Sequence, residues 1–499
     1  MHKDTSLLGA YPSLWRSEEW ASRPALTDAK GVTALSYGAL YEHVSDMAGK
    51  LRHAGVKPRQ LVALAMERSI DSVIALLGLM AAGACPCPLE PRLTPAEIHE
   101  RLRAVGVDTV LVDAANESNV APAGGLRVLR ADMLPAAQAH WSEEIQPEDP
   151  GLLLFTSGST GRPKGVLLSH KGLLNNARGV IPLTELNQRD KLLHVMPLYH
   201  TNGLNNQLFS PFLVGAHVVL ADRFRAADMP QLMDLHRPTI ITGVPTMYSR
   251  MLELSFTPES LAALRFARCG SAPITKALHA KIEALLQRPL IVSYGLSEAT
   301  CTSTMNPPTG RKIGSIGRAL PFQKIYLCAS DGSTIREPGI DGEICIEGEN
   351  LMLGYLGTQG DGVLEPPAAV LRTGDLGRMD DAGYLYITGR IKDVIIRGGE
   401  NISPAIIEQA ISASPDVHSC CVVGRPDPDL GEVPVAFVVP ADSARRDKAA
   451  IQALVRQRLS RIYHLDDVFF VDALPENSVG KIDRKALAKS VAQRGPVHH

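Results

Sequence analysis

The sequence lacks a charge bias of either sign. Its 499 residues include 51 Lys and Arg against 53 Asp and Glu, a formal net charge of −2 at pH 7. Proteins that attract nucleic acids or anionic membranes through charge carry an excess of basic residues. The composition therefore predicts no nucleic-acid partner and no anionic membrane surface as a partner.

The sequence also lacks the Cys and His spacing of a metal site. Its eight cysteines are scattered, apart from the short segments 85–87 and 420–421. No pair of cysteines stands at zinc-site spacing with histidines. We expect reduced thiols in a cytoplasmic protein.

Long hydrophobic runs and internal repeats are missing as well. The most membrane-like stretch, residues 72–83, is shorter than the roughly 20 apolar residues that a membrane span needs, and Pro86 and Pro88 follow it. The first residues contain an acidic side chain and no apolar block of signal-peptide length. We expect a buried helix at 72–83, no membrane span and no solenoid.

What the sequence does contain is an alternation of strand and helix patterns up to residue 112, which predicts a layered α/β fold with parallel strands. Residues 95–105 and 204–213 predict helices, and residues 332–348 predict a small antiparallel β region. A chain of 499 residues is too long for one core. The composition changes near 389–393, so we predict a large N-terminal domain at 1–390 and a small α+β C-terminal domain at 391–499.

The polar segment 154–165 lies between two apolar runs that predict strands. It contains three glycines and four hydroxyl residues: Thr156, Ser157, Gly158, Ser159, Thr160, Gly161 and Gly165. Glycine lets backbone N–H groups approach an anion closely, and hydroxyls add donors. Lys164 adds a mobile positive charge. The segment predicts a phosphate-binding loop, although it lacks the Gly-Lys-Ser/Thr of a Walker loop, and an ordinary flexible loop is the alternative.

Tyr294 and Glu298 follow a predicted strand at 289–293. An aromatic ring at the end of a strand can stack on a purine, and a carboxylate four residues later can bind Mg²⁺. The alternative is a capping box, in which Ser297 and Glu298 only begin a helix.

Three further segments each contain a charged residue close to a glycine. Asp375 follows a Thr-Gly turn, Arg390 stands inside the long segment 383–404, and Lys481 follows Gly480 near the end of the chain. Each segment on its own is compatible with a plain turn or a solvated loop. Their order along the chain gives them weight.

In that order, these segments resemble the adenylate-forming superfamily, which includes acyl-CoA and aryl-CoA synthetases, adenylation domains and beetle luciferases. The resemblance covers nearly the whole chain. It implies an AMP-forming carboxylate–CoA ligase that uses ATP, Mg²⁺ and coenzyme A. Acid and ATP would give acyl-AMP and pyrophosphate, and CoA would then give acyl-CoA and AMP. A small-molecule carboxylic acid is the expected partner, and a homodimer stays open.

The resemblance also implies residue roles. Lys164, His200, Glu298 and Lys481 would be catalytic, and Glu298 and Thr160 would hold the metal. Nucleotide and CoA contacts would come from one set: Thr156, Ser157, Gly158, Ser159, Thr160, Gly161, Lys164, Gly270, Ser271, Ala272, Pro273, Tyr294, Gly295, Ser297, Asp375, Arg390, Lys392, Gly398, Gly399 and Lys481. Lys392 would be the hinge of a mobile C-terminal domain, with Gly398 and Gly399 beside the pantetheine arm.

This sequence departs from the family pattern at several positions. Ser297 stands where Thr is usual, Leu371 where an aromatic is usual, and Ser271 where Gly is common. Residues 461–466 differ from the Tyr-Lys-x-Pro of many relatives. The departure at 371 puts one packing contact in question and leaves the role of Asp375 intact.

Several alternatives stay open at this point. His200 could be a core histidine bonded to backbone, and Asn202, Asn205 and Asn206 could face either an acyl pocket or solvent. The enzyme could load an acyl group onto a carrier protein instead of CoA. A serine hydrolase built on residues 295–299, whose motif lacks the final glycine, and a non-catalytic nucleotide sensor are weaker alternatives.

Overall fold

The structure is a computed structural model that describes residues 6–120, 125–157, 163–358, 361–441, 445–476 and 481–492. Its strands are β1 Pro24–Asp28, β2 Ala34–Ser36, β3 Leu61–Ala65, β4 Cys85–Pro88, β5 Thr109–Val112, β6 Arg127–Arg130, β7 Pro150–Ser157, β8 Pro163–Ser169, β9 Lys191–His194, β10 His217–Leu220, β11 Ile240–Gly243, β12 Phe266–Cys269, β13 Leu290–Tyr294, β14 Thr304–Met305, β15 Arg318–Ala319, β16 Gln323–Cys328, β17 Thr334–Ile335, β18 Asp341–Gly348, β19 Gly354–Leu356, β20 Leu364–Glu365, β21 Leu371–Met379, β22 Leu385–Arg390, β23 Ile395–Arg397, β24 Glu400–Ile402, β25 Val417–Asp427, β26 Gly431–Pro440 and β27 Asp467–Phe470.

The α-helices are α1 Leu7–Trp15, α2 Tyr37–His53, α3 Ile70–Ala81, α4 Pro95–Val105, α5 Glu117–Val120, α6 His170–Thr184, α7 Thr201–Leu204, α8 Ser210–Phe212, α9 Met229–His236, α10 Pro245–Ser249, α11 Pro258–Ala262, α12 Lys276–Leu286, α13 Pro404–Ile411, α14 Lys448–Arg458 and α15 Arg484–Ala492. A π-helix, Asn205–Phe209, joins α7 to α8. Short 3₁₀ turns lie at Ala131–Met133, Ala226–Asp228, Ser297–Ala299, Ile391–Asp393 and Arg461–Tyr463.

Local sequence signals explain where a helix begins and ends. In α4, the Thr94 hydroxyl accepts from the Glu97 N–H and the Glu97 side chain accepts from the Thr94 N–H, which forms a capping box. Pro95 occupies the first turn, and Gly106 ends the helix at φ 72°. The sequence pattern therefore predicted this helix with its correct bounds.

The largest sheet has the order β15-β14-β13-β12-β11-β9-β10-β1-β2. Its six central strands, from β13 to β1, pair in parallel, and antiparallel strands close both ends. A second sheet, β4-β3-β5-β6, is parallel throughout. The predicted layered α/β fold with parallel strands is confirmed.

A large apolar core lies between these sheets. Helix α3 is almost wholly buried in it, and Trp15, Tyr37 and Phe212 pack edge to face or tilted around one another. The buried helix expected at 72–83 is therefore confirmed. No helix in the described ranges combines the length and the apolar character that crossing a bilayer requires.

Two antiparallel sheets complete the part of the chain before residue 391. One has the order β20-β19-β8-β7 and the other β17-β16-β18-β21-β22. The antiparallel region expected at 332–348 is part of the second, where β17 and β18 both pair with β16.

The last sheet, β24-β23-β26-β25 with β27 beside β26, uses only residues 395–470. Its core includes Ile407, Val438 and Val455, which are buried. The mixed α/β class, with a large N-terminal part and a small C-terminal part, is confirmed. The division at residue 390 stays a prediction.

One predicted element is wrong. The expected continuous helix at 204–213 is three short pieces, in which the π-helix separates α7 from α8. The π-helix bears Asn205, Asn206 and Gln207, which are all buried. Widened turns of this kind concentrate at functional sites, because they reposition polar side chains that a regular helix would aim elsewhere.

Candidate active site

The proposed phosphate loop includes the end of β7 and the start of β8, two strands that pair antiparallel. Thr156 pairs with Lys164 and Ser157 with Pro163, so the strands extend further into the polar segment than the sequence indicated. The four predicted contacts Gly158, Ser159, Thr160 and Gly161 lie outside the described residues. Oγ1 of Thr156 is buried and has no hydrogen-bond partner among the described residues. An unsatisfied hydroxyl at this strand end suits a polar ligand.

Gly165 stands at a closely packed position. A Cβ atom there would lie 2.7 Å from a Leu153 methyl and 2.9 Å from a Val105 methyl. This close packing alone accounts for the glycine, and a contact of its backbone with phosphate stays a prediction. The absence of a side chain at Gly165 lets β8 approach α4 and β7 closely.

Lys164 lies against Glu298 and Tyr355. Its Nζ is 3.9 Å from Glu298 Oε1 and 3.7 Å from the centre of the Tyr355 ring. The Tyr355 hydroxyl donates to the same Glu298 oxygen at 2.9 Å. Burial lowers the pKa of Lys164, and Glu298 opposes that shift. Lys164 and Glu298, the proposed metal ligand, therefore interact electrostatically.

The backbone around Glu298 is strained. A Cβ on Gly295 would lie 1.7 Å from the Cys301 carbonyl oxygen, and Thr300, a β-branched residue, has φ 69°. Thr300 donates to the Asn350 carbonyl at 2.6 Å, which holds this conformation. Strain of this kind persists where the surroundings fix a functional side chain.

The capping-box alternative for this segment is wrong. Ser297, Glu298 and Ala299 form a single 3₁₀ turn that begins after Leu296, with no side-chain cap. The carboxylate of Glu298 is therefore available for interactions outside its own turn.

Tyr294, Asp375 and Arg390 form a hydrogen-bonded chain. The Tyr294 hydroxyl donates to Asp375 Oδ2 at 2.7 Å, and Arg390 Nε donates to Oδ1 at 2.6 Å. Asp375 and Arg390 are directly opposite in the β21–β22 ladder. Burial and the Asp375 carboxylate raise the pKa of Tyr294, which stays neutral. Leu371, in place of the usual aromatic, packs against the apolar cluster behind this chain.

Lys481 enters this site from the C-terminal part of the chain. Burial lowers the pKa of Lys481; Arg390 adds to that shift, while Asp375 and Glu298 oppose it. Four predicted residues, distant in sequence, therefore act on one another electrostatically. Two contacts between the parts support this pose: Arg250 donates to Glu476 at 2.8 Å, and Ser249 lies 3.1 Å from His418 Nε2.

His200 lies close enough to Lys481 to experience its charge. Burial lowers its pKa to about 3, and the positive charge of Lys481 contributes. The imidazole is therefore neutral at physiological pH. Its Nε2 is buried without a hydrogen-bond partner among the described residues. The core histidine of this region is instead His194, whose Nε2 lies 2.8 Å from the Gly203 carbonyl.

Two of the three asparagines face the interior of the protein and not solvent, while their place in an acyl pocket stays a prediction. Asn205 and Asn206 are buried. Asn206 Nδ2 lies 2.9 Å from Asn202 Oδ1, 3.0 Å from Thr302 Oγ1 and 3.2 Å from Cys301 Sγ. Oδ1 of Asn205 has no partner among the described residues. A polar wall therefore lies next to His200.

The loop after β12 carries the next predicted group. Gly270 approaches the neighbouring strand, since a Cβ there would lie 2.9 Å from Ser293 Oγ. Ser271 has φ 67°, which explains why glycine suits this position. Ser271 and Pro273 are exposed and Ala272 is partly exposed.

Three predicted residues are not among the buried groups of the site. Lys392 lies in an exposed 3₁₀ turn, although its charge contributes to the lowered pKa of Lys164. Gly398 and Gly399 form the exposed turn of the β23–β24 hairpin, with φ values of 57° and 87°. The predicted glycine turn is present.

Sequence reasoning missed Tyr355 and the side chain of Arg268. Tyr355 reaches the site because β19 pairs with β8, opposite Val166, a pairing that no motif marks. Arg268 stands one residue before the strand end, inside a segment chosen for its glycine and proline. A charged residue in an otherwise apolar strand was the available signal.

Comparisons with known proteins show the family of this chain. The AMP-binding enzyme family matches residues 14–356, and the AMP-binding enzyme C-terminal domain matches 406–481. The sulfoacetate–CoA ligase of Cupriavidus necator is 33% identical, over 95% of this chain and 96% of its own. The feruloyl-CoA synthase of an Amycolatopsis species is 34% identical, over 91% and 93%.

Among solved structures, ATP-bound MatB from Rhodopseudomonas palustris superposes with a TM-score of 0.89 at 28% identity, covering 99% of this chain and 100% of that one. The apo form of the same protein gives a TM-score of 0.80, at 27% identity and the same coverage. The arrangement described above is thus more similar to the ATP-bound form.

Proposed function

Since the chain belongs to the AMP-binding enzyme family and is an acid–thiol ligase, we propose that its two half-reactions share the site described above. The enzyme is an AMP-forming carboxylate–CoA ligase. A carboxylate oxygen attacks the α-phosphorus of ATP, and pyrophosphate leaves. The CoA sulfur then attacks the acyl carbonyl carbon, and AMP leaves. No covalent bond to the enzyme is needed.

The observation that carries the mechanism is the position of Lys481. It lies where the charges of Arg390, Asp375 and Glu298 all act on it. A buried ammonium group stabilises negative charge that develops on the α-phosphate and the attacking carboxylate. Lys164, on the hairpin beside Glu298, would act in the same way on the leaving pyrophosphate.

The nucleotide would use the chain formed by Tyr294, Asp375 and Arg390. The ring of Tyr294 offers a face for adenine, and Asp375 offers carboxylate oxygens for the ribose hydroxyls. Both oxygens already accept hydrogen bonds at 2.6 and 2.7 Å, which fixes the carboxylate before the nucleotide arrives. Such preorganisation lowers the cost of binding.

The donor set fits Mg²⁺. Glu298 provides a carboxylate, the hard oxygen ligand that Mg²⁺ prefers, and the Tyr355 hydroxyl orients it. Glu298 would hold the ion, with Thr160 as the second predicted ligand. When bound, the ion would neutralise charge on the phosphates.

The second half-reaction would require a rotation of the C-terminal part about Lys392. Gly398 and Gly399 are exposed, while Lys481 is partly buried in the site, where burial lowers its pKa. Rotation would withdraw Lys481, break the Arg250–Glu476 and Ser249–His418 contacts and bring the glycine turn to the thiol. The neutral His200 would then lie between the acyl group and the thiol path.

CoA is the acceptor that the relatives favour over a carrier protein. The sulfoacetate–CoA ligase and the feruloyl-CoA synthase both carry CoA in their names. The acids in those two names differ widely, so we do not infer from them which acid this enzyme uses. A cytoplasmic location and a homodimer stay predictions.

The test is AMP and pyrophosphate release across a panel of acids (short, dicarboxylic, long-chain, aryl and hydroxylated), each with and without CoA. We expect AMP release that depends on one acid class and on CoA. Pyrophosphate release that ignores CoA but responds to a phosphopantetheinyl carrier would move the acceptor to a carrier protein. No release with any acid would reject the ligase.

A further inference from the structure

A buried guanidinium group lies close to Cys301, a neighbour of the buried asparagines, with no carboxylate of the described residues paired to it. Arg268, on β12, has a relative exposure of 4%. Its Nε and Nη2 are both buried and have no hydrogen-bond partner among the described residues. Buried charged groups are normally paired, so this pattern needs an explanation.

The direction of the side chain follows from the strand. Ala267 and Cys269 pack in the cluster that includes Ile282 of α12. Phe266 packs in the cluster on the opposite face, with Val180 of α6. Arg268 shares the face of Phe266, because side chains alternate along a strand. It lies near the carboxyl end of the parallel strands, where ligands bind in open α/β sheets.

The neighbours of Arg268 connect it to the acyl wall. Its guanidinium interacts with the thiol of Cys301 and the phenol of Tyr248. The same thiol is hydrogen-bonded to Thr201, Thr302 and Asn206, and Thr201 directly follows His200. The guanidinium therefore borders the polar wall and not an isolated part of the core.

No carboxylate in the described part of the chain compensates this charge. Burial lowers the pKa of Arg268 to about 10, and the groups that oppose this shift are only Cys301 and Tyr248. Arg268 therefore stays protonated at neutral pH.

Arg68 provides the comparison within the same protein. Burial lowers its pKa to about 10 as well. Its guanidinium donates to the carbonyl oxygens of Met196, His194 and Ala221. A structural arginine in this fold is thus saturated by backbone oxygens, whereas Arg268 presents a free Nε–Nη2 edge. That edge matches the two oxygens of an oxyanion.

We propose that Arg268 binds a second oxyanionic group on the acid substrate, so that the preferred acids are dianions such as dicarboxylates or sulfonated carboxylates. One carboxylate reacts with ATP and the other oxyanion pairs with Arg268. This proposal rests on the proposed function, since it concerns the acid that occupies the same site.

The first experiment compares matched acids with the wild-type protein. Each dicarboxylate or sulfocarboxylate is paired with its neutral-ended counterpart, the half-ester or monoamide, in the pyrophosphate-release assay. We expect kcat/KM for the dianion to exceed that for its neutral-ended partner by about 100-fold, because an unmatched buried charge is costly. The dicarboxylate and sulfocarboxylate arms identify which oxyanion is preferred.

The second experiment uses Arg268→Met and Arg268→Lys. Arg268→Met should remove the preference, lowering kcat/KM for the dianion by about 100-fold while changing that for the half-ester only a few-fold. Arg268→Lys keeps the charge and should retain part of the preference. The ligand-free Arg268→Met protein should melt no lower than wild type, because it loses an uncompensated buried charge.

Arg265→Met is the matched control. Arg265 pairs with Asp190 at 2.6 Å, and Asp190 has a side-chain exposure of 1%. Its removal leaves a buried carboxylate unpaired, so the melting temperature should fall while the ratio between dianion and half-ester stays unchanged. The two arginines should thus give opposite patterns.

The outcomes separate the two proposals. If the wild-type protein adenylates neutral-ended acids as well as dianions, the role of Arg268 is rejected and the ligase remains. If Arg268→Met melts lower with an unchanged preference, Arg268 is structural. If no acid releases pyrophosphate, the proposed function itself fails, and the role of Arg268 fails with it.

Discussion

The nucleotide half and the acyl half of this site differ in how their polar groups are satisfied. In the nucleotide half, Tyr294, Asp375 and Arg390 bond to one another at 2.6 to 2.7 Å. In the acyl half, polar atoms of His200 and Arg268 are buried without partners among the described residues. The chain formed by Tyr294, Asp375 and Arg390 is satisfied before a ligand binds, although the buried Thr156 hydroxyl in the same half has no partner among the described residues. The buried polar atoms of the acyl half would gain hydrogen-bond partners only when the acid binds.

This difference explains why the sequence identified more of the nucleotide half than of the acyl half, where it indicated His200 and the asparagines but missed Arg268. A nucleotide is the same in every member of the family, so its contacts recur as short motifs around Glu298, Asp375 and Lys481. The acid varies among the relatives, and the contacts we propose for it lie at the end of a strand and beside a π-helix, where no short motif marks them. Each prediction below tests whether the two halves act separately.

The largest effect should follow Lys481→Ala. Loss of the buried ammonium should slow acyl-adenylate formation by about 10³-fold, because it removes charge stabilisation in the transition state. Thioester formation from supplied acyl-adenylate should stay near wild type. The two half-reactions are measured by pyrophosphate release and by CoA thioester yield.

Lys485→Ala is the control, since Lys485 is an exposed lysine four residues further along and should leave both rates unchanged. Equal loss of both half-reactions in Lys481→Ala would contradict the assignment of this lysine to adenylation.

The second effect concerns movement between the halves. Lys392→Pro should fix the arrangement in which Lys481 is buried, because proline restricts the backbone at the proposed hinge. Pyrophosphate exchange should persist, while thioester formation should fall by about 10²-fold through misplacement of the thiol. Lys392→Ala keeps backbone freedom and should make thioester normally. Normal turnover in Lys392→Pro would place the hinge elsewhere.

The sequence predicted most of the fold, because the helices and strands up to residue 112 carry clear periodic patterns and caps. It failed at 204–213, where the pattern is helical but the structure has a π-helix at Asn205–Phe209. Periodicity reports which residues are buried and not which hydrogen bond each carbonyl accepts. The strands β7 and β8 likewise extend beyond their apolar runs, because cross-strand pairing continues through polar residues.

The sequence likewise predicted some residues of the candidate site and missed others. Asp375, Arg390 and Lys481 were found from the sequence because each stands in a recognisable segment, and the structure brings them together. Tyr355 was missed because only the pairing of β19 with β8 carries it to Glu298. The roles of all these residues stay predictions until the variants are measured.

A smaller effect is expected for Tyr355→Phe. It removes the hydroxyl that donates to Glu298 at 2.9 Å, and a hydrogen bond to a charged group is worth about 1.5–3 kcal/mol. We expect adenylation to slow by about 10-fold, with a higher Mg²⁺ requirement. Tyr326→Phe is the matched control, since its hydroxyl donates to the Glu347 carboxylate at 2.5 Å, outside the site. Similar losses in both variants would indicate a general stability effect.

The smallest effect is the dependence of adenylation on alkaline pH. Burial lowers the pKa values of both Lys164 and Lys481 below the usual lysine value. A lysine loses its positive charge as pH rises through its pKa, so the adenylation rate should fall at a pH below the ordinary lysine range. The rate with supplied acyl-adenylate should lack this decline. In Lys481→Arg, the arginine stays protonated at these pH values. Only Lys164 would then lose its charge, so the alkaline decline should shift. The measurement is the alkaline limb of kcat/KM for pyrophosphate release. An unshifted alkaline limb would mean that Lys481 does not titrate in this pH range and would contradict its assignment as the charged group that controls adenylation.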